Sequence, residues 1–433
     1  MTTTPLWLVD AAPPRASLAS DLEADVCVVG AGIGGLSTAW HLCGQGLRVV
    51  VIEARTAGGG ASGRNGGFLL AGASSFHHDL RARIGHAAAR RLYRLTLDAQ
   101  QELYRLADRI GAGSHLRRQG GLRLAADAHE AQDVRALAGA LAEDGFPAEL
   151  VDTADLPPVL RAEGRIGLRT PHDGGMQPAR WIGALAAAVE RRGVTIHERT
   201  PVAAPVVGDR GHAVVATRHG RVHARSVVIA ADGALPALVP AFADRVRARR
   251  LHMVATAPTE PVLGPETVYT RWGYEYLQQM PDGRIALGGF SDLDGEASYT
   301  DREEAAPHVH ARLERWLREE IGVPAPVTHR WVGVVGYSVD DLPWVGRVPG
   351  ADDLFVLGGY SGTGNVVGFL AGRIVSELIL HGASPDADLF DAGRRPAAHR
   401  ADAGAVSDHE PRTGPPEASR QGTPDRSSSS SFR

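Results

Sequence analysis

The chain contains no lysine: all 46 of its basic residues are arginine. That excludes a lysine Schiff base and a lysine general base. Cysteine is nearly absent too. Cys27 and Cys43 both sit inside apolar patterns and read as small buried hydrophobes, so neither a disulfide framework nor a thiolate metal site is available. Nothing in them signals an oxidising compartment, and a cytoplasmic location is expected. No run of about 18 apolar residues occurs, so no membrane span is expected. Residues 1–21 carry Pro5, Pro13 and Pro14 and no sustained apolar core, which does not fit a signal peptide. The net charge of −4 is small for 433 residues and argues against nucleic acid or an anionic membrane as the main partner. His77-His78 and the other histidines show no metal spacing; they are expected at the surface, with no metal site. At 43% hydrophobic and 22% charged, the composition is that of a globular protein long enough for two domains.

What the sequence does have is glycine in organised places. Val26-Cys-Val-Val-Gly30-Ala-Gly32-Ile-Gly34-Gly35 is an apolar run that breaks into a glycine turn. A helical pattern follows (Ile33, Leu36, Trp40, Cys43), and then the run Val49-Val-Val-Ile-Glu53 ends in an acid. Strand, turn, helix, strand and terminal acid form the dinucleotide-binding fingerprint. Gly30 permits the tight turn, Gly32 admits backbone to the pyrophosphate, and Gly35 lets helix and strand pack closely. The helix start offers N–H groups to phosphate, and Glu53 accepts from ribose hydroxyls.

Next comes a glycine-rich turn, Thr56 to Phe68, bearing Ser62, Arg64 and Asn65, suited to close ligand contact. Helical patterns are expected at Ala87–Ile110, Ala131–Asp144, Trp181–Arg192 and across Val309 to Ile321. A hairpin is expected around His219-Gly220, and Ser226 to Gly233 reads as a buried strand returning to the nucleotide sheet. From Arg249 to Phe290 the pattern is strand-rich and antiparallel, with a strand over Tyr269 to Met280; another strand runs from Thr328 to Val335. A second strand, glycine turn and helix start appears at Leu354 to Asn365. Two glycine-cradled helix starts at opposite ends of one chain favour a large, extended cofactor.

These motifs together resemble the FAD-dependent amine and amino-acid oxidases of the D-amino-acid oxidase superfamily, nearest its gamma-glutamylputrescine oxidase-like branch. The carrying residues are Gly30-Ala-Gly-Ile-Gly-Gly35, Glu53-Ala54-Arg55, Ser62-Gly-Arg-Asn-Gly-Gly67, Asp341-Leu-Pro-Trp-Val-Gly346 and Gly359-Tyr-Ser-Gly-Thr-Gly364. The resemblance implies an α/β fold with a Rossmann-like FAD domain and an inserted antiparallel-sheet (α+β) substrate domain. The expected division is an arm over 1–22, the FAD domain in 23–85, 165–240 and 325–385, and the substrate domain in 86–164 and 241–324. A disordered tail is expected over 390–433. Gly30, Gly32, Ile33, Gly34 and Gly35 would line the pyrophosphate. Glu53, Ala54 and Arg55 would meet the adenosine. Ser62, Arg64, Asn65, Gly66 and Gly67 would run along the pyrophosphate and ring. Val202 would meet adenine through its backbone, Ala230 would be a further cofactor-binding residue, and Gly362, Thr363 and Gly364 would face the pyrimidine edge.

The absences return here. No cysteine or histidine adjoins either flavin loop, so FAD is expected without a covalent bond. Sarcosine oxidases use a lysine over the flavin to react with oxygen; this chain has none, which leaves oxygen or another electron acceptor open. The expected reaction is hydride transfer from the carbon beside a nitrogen of a small amine or amino acid, giving an imine. Tyr274, Tyr276 and Tyr360 are the expected substrate wall; a plain hydrophobic sheet face is the alternative for the first two. Arg271 alternates away from Tyr274 and reads as solvated charge. Two other functions compete. A flavin monooxygenase is disfavoured because Gly358 to Gly364 stands where that class carries a late Gly-Asp. A non-catalytic flavin-binding subunit would hold FAD that no amine reduces.

Overall fold

The computed structural model describes residues 4–203, 207–209 and 212–396. One sheet is built on parallel strands in the order Thr195–His197, Val49–Ile52, Leu22–Val29, Arg221–Ile229 and Leu354–Gly358. Antiparallel strands flank it: Trp344–Arg347 on the last strand, and the hairpin Val207–Asp209 with His212–Ala216 on Arg221–Ile229. Its central strands are apolar without alternation because both faces are buried. Val26 and Val28 face one core; Cys27 and Val29 face the other.

The helices Ile33–Leu42 and Gly364–His381 pack on the same face of this sheet. Their approach is unusually close because Gly372 has no side chain: a Cβ there would stand 2.5 Å from Cβ of Ser37 and 2.6 Å from the Thr38 nitrogen. Ser37 Oγ donates to the Phe369 carbonyl at 2.7 Å, which fixes the register. Both helices follow parallel strands, so both start at the same sheet edge. The packing lays the two tips side by side, with Gly368 against Ile33.

The second sheet runs in the order Val327–Ser338, Val246–Thr256, Ile285–Gly288, Glu275–Gln279, Thr267–Thr270, Gly121–Leu124, Ile166–Thr170 and Glu149–Asp152. All neighbours are antiparallel except Thr267–Thr270 with Gly121–Leu124. Strands Ile166–Thr170 and Val327–Ser338 fall in segments expected to build the nucleotide domain, yet they pair here. Leu122, Val254, Leu277 and Leu287 turn to one face and pack with Val309 and Leu313 of helix Pro307–Arg315.

Several expectations need correction. The strand expected over Tyr269 to Met280 is two strands, Thr267–Thr270 and Glu275–Gln279, joined by a tight turn. Arg271 (φ 51°) and Trp272 (φ 53°) are left-handed, and Glu130 holds the turn by accepting from both their N–H groups. No local pattern announces left-handed backbone at two bulky residues. Arg271 is not solvated charge: it forks onto Glu275 and Asp292. His77 is not at the surface either. It is 3% exposed, with Nε2 2.7 Å from Asp144, and His252 and His310 are buried as well. Among the described residues no group of side chains could hold a metal. The helix expected across Val309 to Ile321 ends at Arg315 and continues as a wide turn, Trp316–Glu320.

The N-terminal segment is a strap and not merely a lead-in. Trp7 and Leu18 are buried, and Arg15 pairs with Glu190 and with the buried Glu198. At the other end, residues 397–433 of the expected tail lie outside the described residues. Residues 390–396 are packed: Phe390 and Ala392 are buried, and Arg394 pairs with Asp340 at 2.9 Å. No described helix is long and apolar enough to cross a membrane.

Candidate active site

The two helix tips enclose a cavity of about 70 Å³. Gly32, Ile33 and Gly34 line it from the first tip, Gly362, Gly364 and Asn365 from the second, and Ala61, Ser62, Asn65, Ala230, Asp232, Val335 and Tyr360 line the rest. The glycines divide their work. A Cβ on Gly35 would meet the Gly30 carbonyl oxygen at 1.9 Å, and one on Gly30 would meet the Ala230 oxygen at 2.4 Å. Both positions are consumed by helix–strand packing and line neither cavity. Gly32 opens toward Ser62, whose Oγ accepts from the Ile33 N–H at 3.0 Å. That N–H is one of the donors a helix start would present to phosphate. Tyr360 is 7% exposed, and its hydroxyl has no hydrogen-bond partner among the described residues.

Glu53 ends its strand as expected. Its carboxylate accepts from the N–H groups of Ala31 and Arg55, both at 2.7 Å, and burial pushes its pKa up against those bonds. Segment 197–200 runs beside it: Thr200 N–H donates to the Glu53 carbonyl at 2.8 Å. Val202 follows as a half-buried residue bridged to Thr217. Arg55 turns to Glu303 at 2.6 Å, and Arg64 approaches the same carboxylate at 3.4 Å.

The loop after Ser62 is held by residues that sequence reading missed. Trp331 Nε1 donates to the Arg64 carbonyl at 2.8 Å, Trp7 Nε1 to the Asn65 carbonyl at 2.8 Å, and Gln278 Nε2 to the Gly66 carbonyl. Three successive carbonyls are thus captured from the strap and from two strands of the second sheet. Asn65 also exchanges amide hydrogen bonds with Asn365 at 3.0 and 3.2 Å, which ties this loop to the second helix tip. Asn365 directly follows Gly364, so its place in the motif was the signal available. Trp7 carried none.

A larger cavity of about 290 Å³ opens from the first and shares Ala61, Asn65, Val335, Gly362 and Asn365 with it. Its roof is one face of the second sheet. Register places Arg123, Tyr269, Tyr276, Gly288 and Met253 opposite one another across five strands, so all share that face. Arg249 and Leu251 continue it along the strand of Met253. Gly288 is bare because the Tyr276 ring occupies its Cβ position, at 2.5 Å. Burial drives the phenol pKa values of Tyr269 and Tyr276 well up and raises that of Tyr337, so these hydroxyls stay protonated. The lining acid, Asp341, is paired with Arg83 at 2.9 Å.

Of the expected residues, Arg64, Asn65, Gly66, Tyr274, Tyr276, Gly362 and Thr363 line the large cavity. Tyr274 reaches it from the turn and not from the strand of Tyr276. Tyr360 does not line it; the hydroxyl points at Gly34, 2.8 Å from an added Cβ, so this residue belongs to the small cavity. Glu53, Ala54, Arg55, Gly67 and Val202 line neither.

Residues 25–378 match the family described as DAO, FAD dependent oxidoreductase. The chain is 28% identical over 385 residues to the "Probable oxidoreductase OrdL" of Rhizobium meliloti (strain 1021), covering 87% of each chain. It is 28% identical over 389 residues to the gamma-glutamylputrescine oxidoreductase of Escherichia coli (strain K12), covering 88% of each. The crystal structure of glycine oxidase from Geobacillus kaustophilus superposes with a TM-score of 0.73 at 23% identity, over 86% of this chain and 99% of that one.

Proposed function

Because the chain belongs to the family of FAD-dependent oxidoreductases, we propose that it oxidises a C–N bond of an amine or amino acid to an imine, which water then hydrolyses. The single observation that carries this reading is the continuous cleft: two glycine-lined helix tips meet in a small cavity that opens under an aromatic roof. The residues present fit FAD. Gly32 leaves a cradle that a side chain would fill, and the Tyr360 hydroxyl is buried without a hydrogen-bond partner among the described residues. Gly32, Ile33, Ser62, Asn65, Gly362 and Gly364 would hold it, with Glu53 and the Val202 segment at the adenosine end. Among the described residues no cysteine or histidine lines the large cavity, which supports a cofactor held without a covalent bond.

Bound FAD supplies the two-electron acceptor for the hydride leaving the carbon beside the substrate nitrogen. The protein's own part is orientation and exclusion of water. Its roof offers protonated phenols, which donate hydrogen bonds and cannot take a proton. With Asp341 already paired, the substrate nitrogen must arrive neutral, having lost its proton to solvent. The names of the relatives, a gamma-glutamylputrescine oxidoreductase and a glycine oxidase, both denote nitrogen-bearing substrates. The buried, unpaired Cys27 and Cys43 accord with a reducing cytoplasm.

The test is anaerobic mixing of the flavin-bound protein with a panel of amines and amino acids. The flavin absorbance is expected to bleach with one class of them and faster as pH approaches the amine's own pKa. Bleaching that requires a nicotinamide instead of an amine would point to a monooxygenase and reject the reading. Admitting air afterwards separates an oxidase, which recovers its colour at once, from a dehydrogenase, which does not.

A further inference from the structure

Charge in the large cavity is unbalanced. Its lining carries Arg64, Arg123, Arg249 and Asp341. Arg64 has Glu303 and Asp341 has Arg83, but among the described residues Arg123 and Arg249 make no ion pair. Arg249 is 9% exposed. Its Nε donates to Ser298 Oγ at 3.2 Å, and its guanidinium lies 5.1 and 5.2 Å from the ring centres of Tyr299 and Tyr337. Arg123 lies between Phe76, at 4.6 Å, and Tyr269, at 5.4 Å. Aromatic faces offset part of the cost of a desolvated cation, but a ligand that fills the cavity strips the remaining water from both guanidiniums. An anion on the ligand is what replaces it.

The two cations are far apart. Arg249 is on strand Val246–Thr256, in register with Val335, which lines both cavities and so marks the cofactor end. Arg123 is on strand Gly121–Leu124, with three strands between. Four strand spacings of about 4.8 Å, together with the offset of Arg249 from Met253 along its own strand, separate the backbones by roughly 23 Å, from which two long side chains reach inward over the same face. At the Arg123 end the cavity meets a side chamber of about 60 Å³ lined by Phe76, Leu122 and Leu168 and by one buried acid, Asp173, which makes no ion pair with Arg123 among the described residues.

We propose that the cavity takes an elongated amine carrying two anionic groups, with Arg249 anchoring a carboxylate beside the reacting C–N bond and Arg123 anchoring a distal one. This rests on the amine-oxidising reading above. It disfavours simple diamines, whose second ammonium would face two guanidiniums and an acid that is already paired.

Calorimetric titration of the flavin-bound protein reads this without turnover. The probes are straight-chain dicarboxylates of increasing length, the matched monocarboxylates, and diamines. One dicarboxylate length is expected to bind about 10- to 100-fold tighter than its monocarboxylate. Arg123→Met should bring that affinity down to the monocarboxylate level, and Arg249→Met should weaken both ligands. Equal binding of mono- and dicarboxylates by the unmodified protein, or preferred binding of a diamine, would overturn the assignment, and needs no variant to fold. Loss of flavin absorbance from either variant would instead assign that arginine to the cofactor. Amine bleaching without any dicarboxylate preference would sink this inference and leave the proposed function standing.

Discussion

Trp7 shows how much one side chain can do from outside every motif. It is 2% exposed, packs edge-on against Trp331 at 6.1 Å, and donates to the Asn65 carbonyl in the loop that joins both cavities. Trp7→Phe keeps most of the packing and removes only the donor, leaving a half-buried carbonyl unmet. A loss of about 1–3 kcal/mol of stability is expected, together with weaker FAD binding. Urea unfolding and flavin titration check the two effects. Unchanged flavin affinity would reduce Trp7 to a packing residue. At this scale the sequence was legible where chemistry and spacing coincide. Gly30 to Gly35, Asn65 and Gly362 to Gly364 announce themselves as glycine turns and Glu53 as the acid after a strand, though Gly30, Gly35 and Glu53 line neither cavity. Trp7, Gln278 and Arg249 do not, because their partners lie in distant segments.

Among elements, the turn that joins Thr267–Thr270 to Glu275–Gln279 is pinned by charge. Arg271 bridges Glu275 and Asp292, one cation for two acids. Burial, with Asp292 nearby, outweighs the pull of Arg271 and raises Glu275 to about 7 from 4.5. The sign follows from linkage. Between those values the folded chain retains a proton that the unfolded chain has released, so this group's contribution to stability falls as pH rises from about 4.5 to about 7 and is level above. Glu275→Gln is expected to flatten that part of the pH dependence, measured as melting temperature against pH for both proteins. Parallel curves would mean that Glu275 stays ionised beside Arg271. The turn itself was read as continuous strand because its residues favour strand; Glu130, 141 positions away from Arg271, overrides that preference.

At the level of the whole molecule, the separation of the two helix tips is set by Gly372 against Ser37 and Thr38. Gly372→Ala forces the helices apart at a cost of about 1–3 kcal/mol. Because the tips flank one cavity, FAD affinity should fall while circular dichroism stays unchanged. Retained affinity would show that the tips tolerate a wider gap. The amino-acid sequence by itself determined both glycine turns and the acid-ended strand, because each depends on neighbours within about thirty residues, and the order of those motifs along the chain pointed to the FAD-dependent family. Only tertiary structure decided which glycines face a ligand, that Tyr360 belongs with the helix tips and that Arg123 and Arg249 share a roof. Those facts depend on strand order and helix spacing, and segments more than a hundred residues apart set both.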